Sequence, residues 1–304
     1  MAPDWLWIPI TLWAALAQTL RNAAQRHLTK ELGTLGATLV RFLYGLPFAA
    51  LWLVTVHAVG EFALPAPTRA FAWWVSLGAV SQIVATALLL RVMAERNFAL
   101  GVAYSKTELL LVAAFGFAFL ADRITVLTAV AIALGTTGVL LLSPADRKRP
   151  LRSMLMGWTT RPALLGLGCG ACFALSAVCY RGAALALHGT PFLMAAAYSL
   201  VAAQLLQTVL LIGWLRLRDA KVIVRVFRAW RASLLAGFMG AAASAGWFTA
   251  MAIQPVASVR TLGLVELLFS YVVSRRIFRE RLSPLEIAGI GVLTLGLIIV
   301  TLQR

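Results

Sequence analysis

The segment VELLFSYVVSRRIFRERLS, residues 265–283, places a carboxylate, Glu266, inside a long apolar run that ends in arginines. A second segment, TELLLVAAFGFAFLADRIT at residues 107–125, has the same plan around Glu108. In both segments another acidic side chain follows the glutamate fourteen residues later. Because repeated apolar composition alone would rarely match charged positions, we interpret the two segments as copies of one duplicated unit.

The duplication extends beyond these two segments. When the chain is aligned with itself at a separation of 158 residues, the register holds without a gap for about fifty residues. The matched pairs include Met93 and Met251, Glu108 and Glu266, Asp122 and Glu280, Arg123 and Arg281, and Gly138 and Gly296. We therefore predict two homologous halves, residues 1–145 and 163–304, joined by a basic cytoplasmic linker at residues 146–162.

The composition predicts a membrane protein. Charged residues make up 12% of the chain and the mean hydropathy is +0.88, whereas about a quarter of the residues of a soluble domain are charged. Apolar runs of about 20 residues recur along the chain, and each is long enough to cross a bilayer. Backbone groups in lipid must be satisfied internally, which favours helices. The predicted spans are 5–25, 35–57, 70–90, 98–120, 124–142, 163–187, 191–215, 232–252, 256–274 and 285–302.

The predicted fold is thus an all-α polytopic membrane protein with ten transmembrane helices. Five spans in each half is an odd number, so the two halves enter the membrane in opposite directions. Inverted repeats of this kind are a transporter design in which the substrate site lies near the membrane midplane. The three cysteines, Cys169, Cys172 and Cys179, share one apolar span, and we interpret them as packing residues because tetrahedral zinc needs four ligands.

The basic residues predict the orientation of the chain. The net charge of +16 comes from arginines and lysines in loops between the apolar runs, which membrane insertion explains better than nucleic-acid binding. Their bias toward one face predicts that both termini lie outside the cytoplasm, with the protein in the cell (inner) membrane. Residues 216–231 fit either an amphipathic helix on the anionic inner leaflet or a plain basic loop.

A family resemblance comes from the end of each half. LADRITVLTAVAIALGTTGVLLL (120–142) and FRERLSPLEIAGIGVLTLGLIIV (278–300) resemble the "GE-K/R-L-T/S … G … G-V" segment of EamA-type repeats, which belong to the drug/metabolite transporter superfamily. Trp13, Arg21 and the pair Arg41-Phe42 are also similar to the first two helices of that family. Asp122 replaces the usual glutamate of the first copy.

The resemblance implies a ten-helix carrier in which helices 1–4 and 6–9 surround a central cavity and helices 5 and 10 are peripheral. It also implies a substrate among amino acids, other metabolites, nucleotide sugars or drugs, often carried outward. The basic loop usual between helices 2 and 3 is missing, because residues 58–69 hold only Arg69.

Ionisable side chains within the spans are the main candidate site residues, because each costs at least about 2.5–3.5 kcal/mol at the bilayer centre unless it finds a partner or water. Glu108 and Glu266 are predicted to lie near the middles of related helices, where a carboxylate can bind substrate or couple transport to protons. The alternative is a structural ion pair with Arg41, Arg181 or Arg260. Arg41 and Arg181 are candidates for holding a carboxylate of the substrate or of the protein.

Arg21 is either a cavity residue or a topology determinant at the basic end of the first helix. Uncharged side chains complete the candidates, with helix–helix packing as the alternative for each. They are Gln18, Asn22, Gln82, Tyr104, Tyr180, Tyr198, Trp247 and Tyr271.

No motif for covalent catalysis, nucleotide binding or metal binding is present, so we expect neither an enzyme nor a cofactor. The expected function is secondary active transport of a small organic metabolite, outward and by alternating access. Buried Glu and Arg together favour a zwitterion, amino-acid-like or otherwise amphipathic. The alternative is a lipid or lipid-linked-substrate flippase or scramblase on the same fold. Expected partners are the substrate, protons and membrane lipids, with the chain a monomer or homodimer.

Overall fold

The computed structural model describes residues 5–95, 108, 125–127, 129–130, 133–134, 137, 161–278 and 284–301. Helices joined by short connections account for this part of the chain, which contains no strand. Within the described residues the helices are α1 (Trp7–Leu43), α2 (Leu46–Gly60), α3 (Arg69–Glu95), α4 (Arg161–Leu185), α5 (Phe192–Arg218), α6 (Ala220–Arg228), α7 (Trp230–Ile253), α8 (Val256–Leu262), α9 (Val265–Phe278) and α10 (Pro284–Thr301).

Helix α1 is interrupted at Gly33, whose backbone has φ +70° and ψ 176°. Glycine adopts a positive φ without the steric cost that a side chain would bring. Gln25 donates a hydrogen bond from Nε2 to the carbonyl of Ala37 at 2.8 Å, although these residues would lie about 18 Å apart along a straight helix. The chain therefore turns back at Gly33, and the boundary between the first two predicted spans lies there.

Five stretches of the described residues are long and apolar enough to cross a membrane. They are Trp7–Gly60, Arg69–Met93, Leu164–Leu185, Phe192–Arg218 and Trp230–Ile253. The first has 54 residues and would be about 80 Å long if straight, far more than one crossing needs. The all-helical, multi-pass class is thus confirmed, while the predicted spans 98–120 and 124–142 lie largely outside the described residues.

The predicted span 256–274 contains two consecutive helices, α8 and α9. The break falls at Gly263, where an added Cβ would collide with the Trp247 ring. Glu266 consequently lies in the first turn of α9 and not near the middle of a helix as predicted. A carboxylate at this position is favoured by the helix dipole.

Close helix pairs form the core of the described structure. Gly246 of α7 packs against Ala14 of α1 so tightly that an added Cβ would lie 2.8 Å from the Ala14 Cβ. Gly182 of α4 packs in the same way against the ring of Trp74 on α3. Small residues let helices approach closely where lipid provides no hydrophobic drive for association. The three cysteines form no disulfide, and Cys169 and Cys179 are buried, as packing residues should be.

Residues 220–228 form a helix, which settles the choice between a helix and a loop. The Asp219 side chain caps α6 by accepting a hydrogen bond from the Lys221 amide at 3.1 Å. The inner face of α6 buries Val222 and Val226 against Gly36 of α1.

Candidate functional site

A small cavity lies where α1, α3, α4, α7, α8 and α9 meet. Its volume is about 20 Å³, which holds about one water molecule. Five ionisable side chains line it, namely Arg21, Arg41, Arg260, Glu108 and Glu266. All five are at least nine-tenths buried. Such side chains inside a membrane protein mark a functional site by default.

Glu266 is held by two neutral amides of α1. Gln18 donates from Nε2 to Glu266 Oε2 at 2.6 Å, and Asn22 donates from Nδ2 to Glu266 Oε1 at 3.0 Å. These amides can reach one carboxylate because residues four apart lie on the same face of a helix. The indole of Trp247 donates to Gln18 Oε1 at 2.9 Å. We call Glu266, Gln18, Asn22 and Trp247 the Glu266 network; it joins α9 to α1 and α7.

Glu108 has a charged partner. Arg260 Nη1 lies 3.8 Å from Glu108 Oε1, and both side chains are buried. The Arg260 guanidinium also lies over the Trp247 ring, 4.7 Å from its centroid, where the electron-rich face of the ring stabilises a cation. The ion pair that the sequence left open is therefore present for Glu108.

Arg21 and Arg41 lie side by side against α7. An added Cβ at Gly240 would lie in van der Waals contact with both stems, 3.4 Å from Arg21 Cδ and from Arg41 Cγ, so the two side chains pass over the same glycine. Arg21 donates from Nη2 to Asn22 Oδ1 at 2.8 Å, and Arg41 donates from Nη1 to Thr86 Oγ1 at 3.0 Å. Within the described part of the chain, Arg21 Nε, Arg21 Nη1 and Arg41 Nε have no hydrogen-bond acceptor.

A neutral polar cluster borders the cavity on the side of α3 and α4. Tyr180 and Gln207 each donate to Gln82 Oε1, at 3.1 Å and 2.7 Å, and Gln207 Nε2 also lies 2.9 Å from the Tyr180 hydroxyl. Gln82 and Tyr180 line the cavity. The Tyr180 ring stacks at a tilt on Phe248, with centroids 4.4 Å apart.

Around the cavity the structure places Glu108, Glu266, Arg41, Gln82 and Trp247, and also the candidates Gln18, Asn22 and Tyr180. Arg181 does not line the cavity. Arg181 donates from Nη1 to the carbonyls of Met251 and Gln254, at 2.6 Å and 2.5 Å. These carbonyls end α7, where helices leave acceptors without intrahelical partners.

Two tyrosines do not line the cavity. Tyr198 is half-buried and its ring contacts Phe71, with centroids 5.4 Å apart. Tyr271 is half-buried on α9. Tyr104 lies outside the described residues.

Sequence reasoning left Arg21 undecided and gave Arg260 only a structural role. The structure places both in the lining, with Arg21 1% exposed. A signal for Arg21 was available, because Gln18, Arg21, Asn22 and Gln25 form a polar stripe at helical spacing along an apolar helix. The sequence did not decide whether Arg21 lies inside the membrane or at its edge, because the ends of the predicted spans were uncertain by several residues.

The comparisons with known proteins agree with this architecture. Residues 160–302 match the model of the EamA-like transporter family. The second half of the chain is therefore similar to EamA-like transporters. The match confirms the resemblance that the repeated segments indicated, and together with the long apolar helices it supports a multi-pass membrane protein.

A search of curated proteins found no match to the chain. Among solved structures, one described only as "Crystal structure of protein" is similar over 97% of this chain and 99% of its own. The TM-score is 0.66 and the sequences are 15% identical, so the likeness is one of fold.

Proposed function

We propose that this EamA-like chain is a secondary active transporter that moves a small organic metabolite outward across the cytoplasmic membrane by alternating access. The observation that carries the proposal is the small cavity lined by five buried ionisable side chains. Charged groups that face the interior of a helical bundle are typical of substrate pathways. The substrate is amino-acid-like or otherwise amphipathic, because the lining combines these charges with aromatic and aliphatic side chains.

Helix positions support the proposal that residues 1–145 and 163–304 are inverted repeats of five spans each. At the separation of 158 residues, α3 aligns with α7, and residues 34–60 align with Phe192–Arg218, which is α5. The first part of α1 aligns with α4. The close pair α1–α7 thus corresponds to the close pair α4–α3, as a pseudo-two-fold axis between the halves requires.

The lining follows the same relation between the halves. Three pairs of positions at this separation line the cavity together: Asn22 with Tyr180, Leu89 with Trp247, and Glu108 with Glu266. A site on the axis between two repeats can face either side of the membrane as one repeat rocks against the other. The Glu266 network has to break for the cavity to open, because it ties α9 to α1 and α7.

Glu266 is the better candidate for coupling to protons. Protonation of Glu108 would leave Arg260 as a buried cation beside a neutral acid, because the two side chains form an ion pair. The two α1 amides that bond to Glu266 are neutral, so its proton uptake would leave the ion pair between Arg260 and Glu108 intact. A proton on Glu266 would weaken both hydrogen bonds, because an ionised acceptor binds a donor more strongly than a neutral one.

A second candidate function, lipid flipping, rests on a groove of about 610 Å³ between α1, α2, α5 and α7. Trp13, Phe48, Trp52 and Phe238 line it and are partly or well exposed on the outer surface. The groove suits an acyl chain. Its described lining has no charged side chain to guide a headgroup, so transport through the charged cavity is the function better supported.

The test is counterflow in proteoliposomes loaded with unlabelled compound. Uptake of radiolabelled phenylalanine, phenethylamine and 3-phenylpropanoate is measured with and without a pH gradient, and a fluorescent-lipid assay follows scrambling in the same vesicles. We expect protein-dependent counterflow that Glu266→Gln reduces and Tyr198→Phe, outside the cavity, leaves unchanged. Scrambling without counterflow would establish the flippase. Absence of both would contradict the proposal.

Orientation has its own test. A reporter fused to the C-terminus and active only in the cytoplasm should stay silent if the termini lie outside, as the basic residues predict. Activity of the reporter would overturn this orientation.

A further inference from the structure

We propose that the cavity recognises a small organic monoanion, a carboxylate on an apolar body, and that Arg21 and Arg41 bind the carboxylate. The inference rests on the proposed transport function and narrows its substrate class. It also departs from the zwitterion that the mixture of Glu and Arg in the sequence favours.

The first step is the charge of the described lining. Three guanidinium groups face two carboxylates there. Arg260 is paired with Glu108, which leaves Arg21 and Arg41 to share Glu266. One positive charge is therefore in excess, and a buried charge without a counter-ion is strongly unfavourable. A bound monoanion makes this part of the lining neutral, whereas a zwitterion leaves the excess in place.

The second step is the state of the hydrogen-bonding groups. Both oxygens of Glu266 already accept hydrogen bonds from α1 amides, so a substrate ammonium would have to compete for them. Arg21 and Arg41 retain donors without an acceptor in the described part of the chain. Planar guanidinium groups match the geometry of a carboxylate. The site thus offers more to an anionic group than to a cationic one.

The third step is convergence. The stems of Arg21 and Arg41 both cross Gly240, and their side chains are 1% and 3% exposed. Two like charges held together away from water repel each other strongly, because the effective dielectric constant is low there. An anion bound by both arginines would relieve that repulsion. The positions 158 residues later, Cys179 and Ser199, carry no arginine, so this pair of cations occurs in the first half alone.

The fourth step is the apolar part of the substrate. Leu89, Phe173, Phe248 and Met251 line the cavity beside the charged groups. Apolar and aromatic walls with a few placed polar groups are typical of sites for small organic molecules. In the closed conformation the cavity holds about one water, so the substrate binds after the Glu266 network opens and the cavity enlarges.

The test compares ligands with similar phenylalkyl groups but different charge. Binding of 3-phenylpropanoate, phenylalanine, 3-phenylpropanamide and phenethylamine to the purified full chain is measured by calorimetry at about pH 7.5, where the carboxylate and the amines are charged. We expect the anion to bind at least about tenfold more tightly than the amide or the amine, the usual effect of a charge-assisted hydrogen bond. Phenyl phosphate is measured as an additional ligand, to detect a preference for phosphate over carboxylate.

Variants assign the effect to the two arginines. Arg21→Gln and Arg41→Gln should each weaken 3-phenylpropanoate binding at least about tenfold. Arg21→Lys retains the charge and should keep part of the affinity for 3-phenylpropanoate that Arg21→Gln loses. Arg228→Gln, on the exposed face of α6, removes the same charge elsewhere and should change nothing. Size-exclusion profiles and thermal midpoints of all variants separate loss of binding from loss of folding.

The outcomes separate the inference from the function it rests on. Tighter binding of phenethylamine or phenylalanine, equal binding of the four ligands, or binding by none of them contradicts the monoanion site. Tighter binding of phenyl phosphate would replace the carboxylate with a dianion and overturn the charge argument. If a cation shows counterflow that Arg21→Gln does not change, the transport function is supported and the anion site is contradicted. If the anion binds but shows no counterflow, the anion site is supported and the transport function is contradicted.

Discussion

Two regions of the molecule, α1 on the one hand and α4 and α5 on the other, contribute differently to the cavity. Arg21 of α1 lies 158 residues before Cys179 of α4, and Arg41 lies 158 residues before Ser199 of α5, which is the separation between the proposed repeats. The two arginines line the cavity, whereas Cys179 and Ser199 are buried outside it. The comparison shows that α1 supplies two arginines to the cavity, whereas the positions 158 residues later in α4 and α5 supply no charge to it.

The two glutamates differ as well, although both line the cavity. Glu108 is in an ion pair with Arg260, while Glu266 is held by the α1 amides. Removing the charge from each should therefore have different consequences, affecting stability at Glu108 and transport at Glu266. The predictions that follow test this division, beginning with the largest expected effect.

The largest effect is expected for Arg260→Met. It leaves the Glu108 carboxylate buried without its charged partner, which costs about 3–5 kcal/mol of stability in buried pairs. The thermal midpoint of the purified protein should fall steeply. The double variant Arg260→Met with Glu108→Gln removes both charges and should recover most of the loss. An unchanged midpoint in the single variant would mean that the pair contributes nothing.

A large effect on transport, with little change in stability, is expected for Glu266→Gln. The amide keeps the shape of the side chain but weakens the charge-assisted bonds from Gln18 and Asn22, each worth about 1.5–3 kcal/mol. Counterflow should fall by about tenfold or more, and the remaining activity should lose its dependence on a pH gradient. Glu108→Gln is the matched control. Equal loss of transport in the two variants would contradict the division of roles.

A moderate effect is expected for Gly240→Val. The added side chain would occupy the space through which the Arg21 and Arg41 stems pass, and overpacking of this kind costs about 1–3 kcal/mol. Affinity for 3-phenylpropanoate should fall, while α7 remains folded because valine is tolerated in membrane helices. Gly213→Val, on α5 with no heavy atom within 4 Å of an added Cβ, is the control and should have wild-type affinity.

The smallest effect is expected for Ser199→Ala, the position that corresponds to Arg41. The substitution removes one hydroxyl whose Oγ has no hydrogen-bond partner in the described part of the chain, so stability should change by less than about 0.5–1 kcal/mol. Counterflow and affinity should both stay near wild type. A substantial loss of either would place Ser199 in the transport pathway and weaken the contrast with Arg41.

Much of this arrangement could be predicted from sequence because it rests on charge and hydropathy. Five stretches stand out as apolar runs, and Glu108 and Glu266 stand out because a residue that is costly at membrane depth recurs 158 residues later in a similar apolar segment. The interruptions of the helices at Gly33 and Gly263 were harder to predict. Gly33 is one glycine among 23, and nothing local shows that it reverses the chain. At Gly263 the Trp247 ring of another helix leaves no room for a side chain, and such a contact between helices is not visible in the sequence.

The roles of the arginines also depend on tertiary packing. Arg181 and Arg41 both lie deep in predicted spans, yet one binds carbonyls at the end of α7 and the other lines the cavity. Which acceptor a long side chain reaches is decided by the neighbouring helix, and periodicity along a single helix carries no such information.

The most direct test of the account is the electrical signal of substrate binding in proteoliposomes adsorbed on a solid-supported membrane. Rapid addition of 3-phenylpropanoate should produce a transient current carried by negative charge entering the protein. Passive entry of the protonated acid is electroneutral and adds nothing to this current. The signal should be absent from protein-free liposomes and from Arg21→Gln, and present in Arg228→Gln. An equal current from Arg21→Gln, or a current of opposite sign, would contradict an anion site built on the first half of the chain.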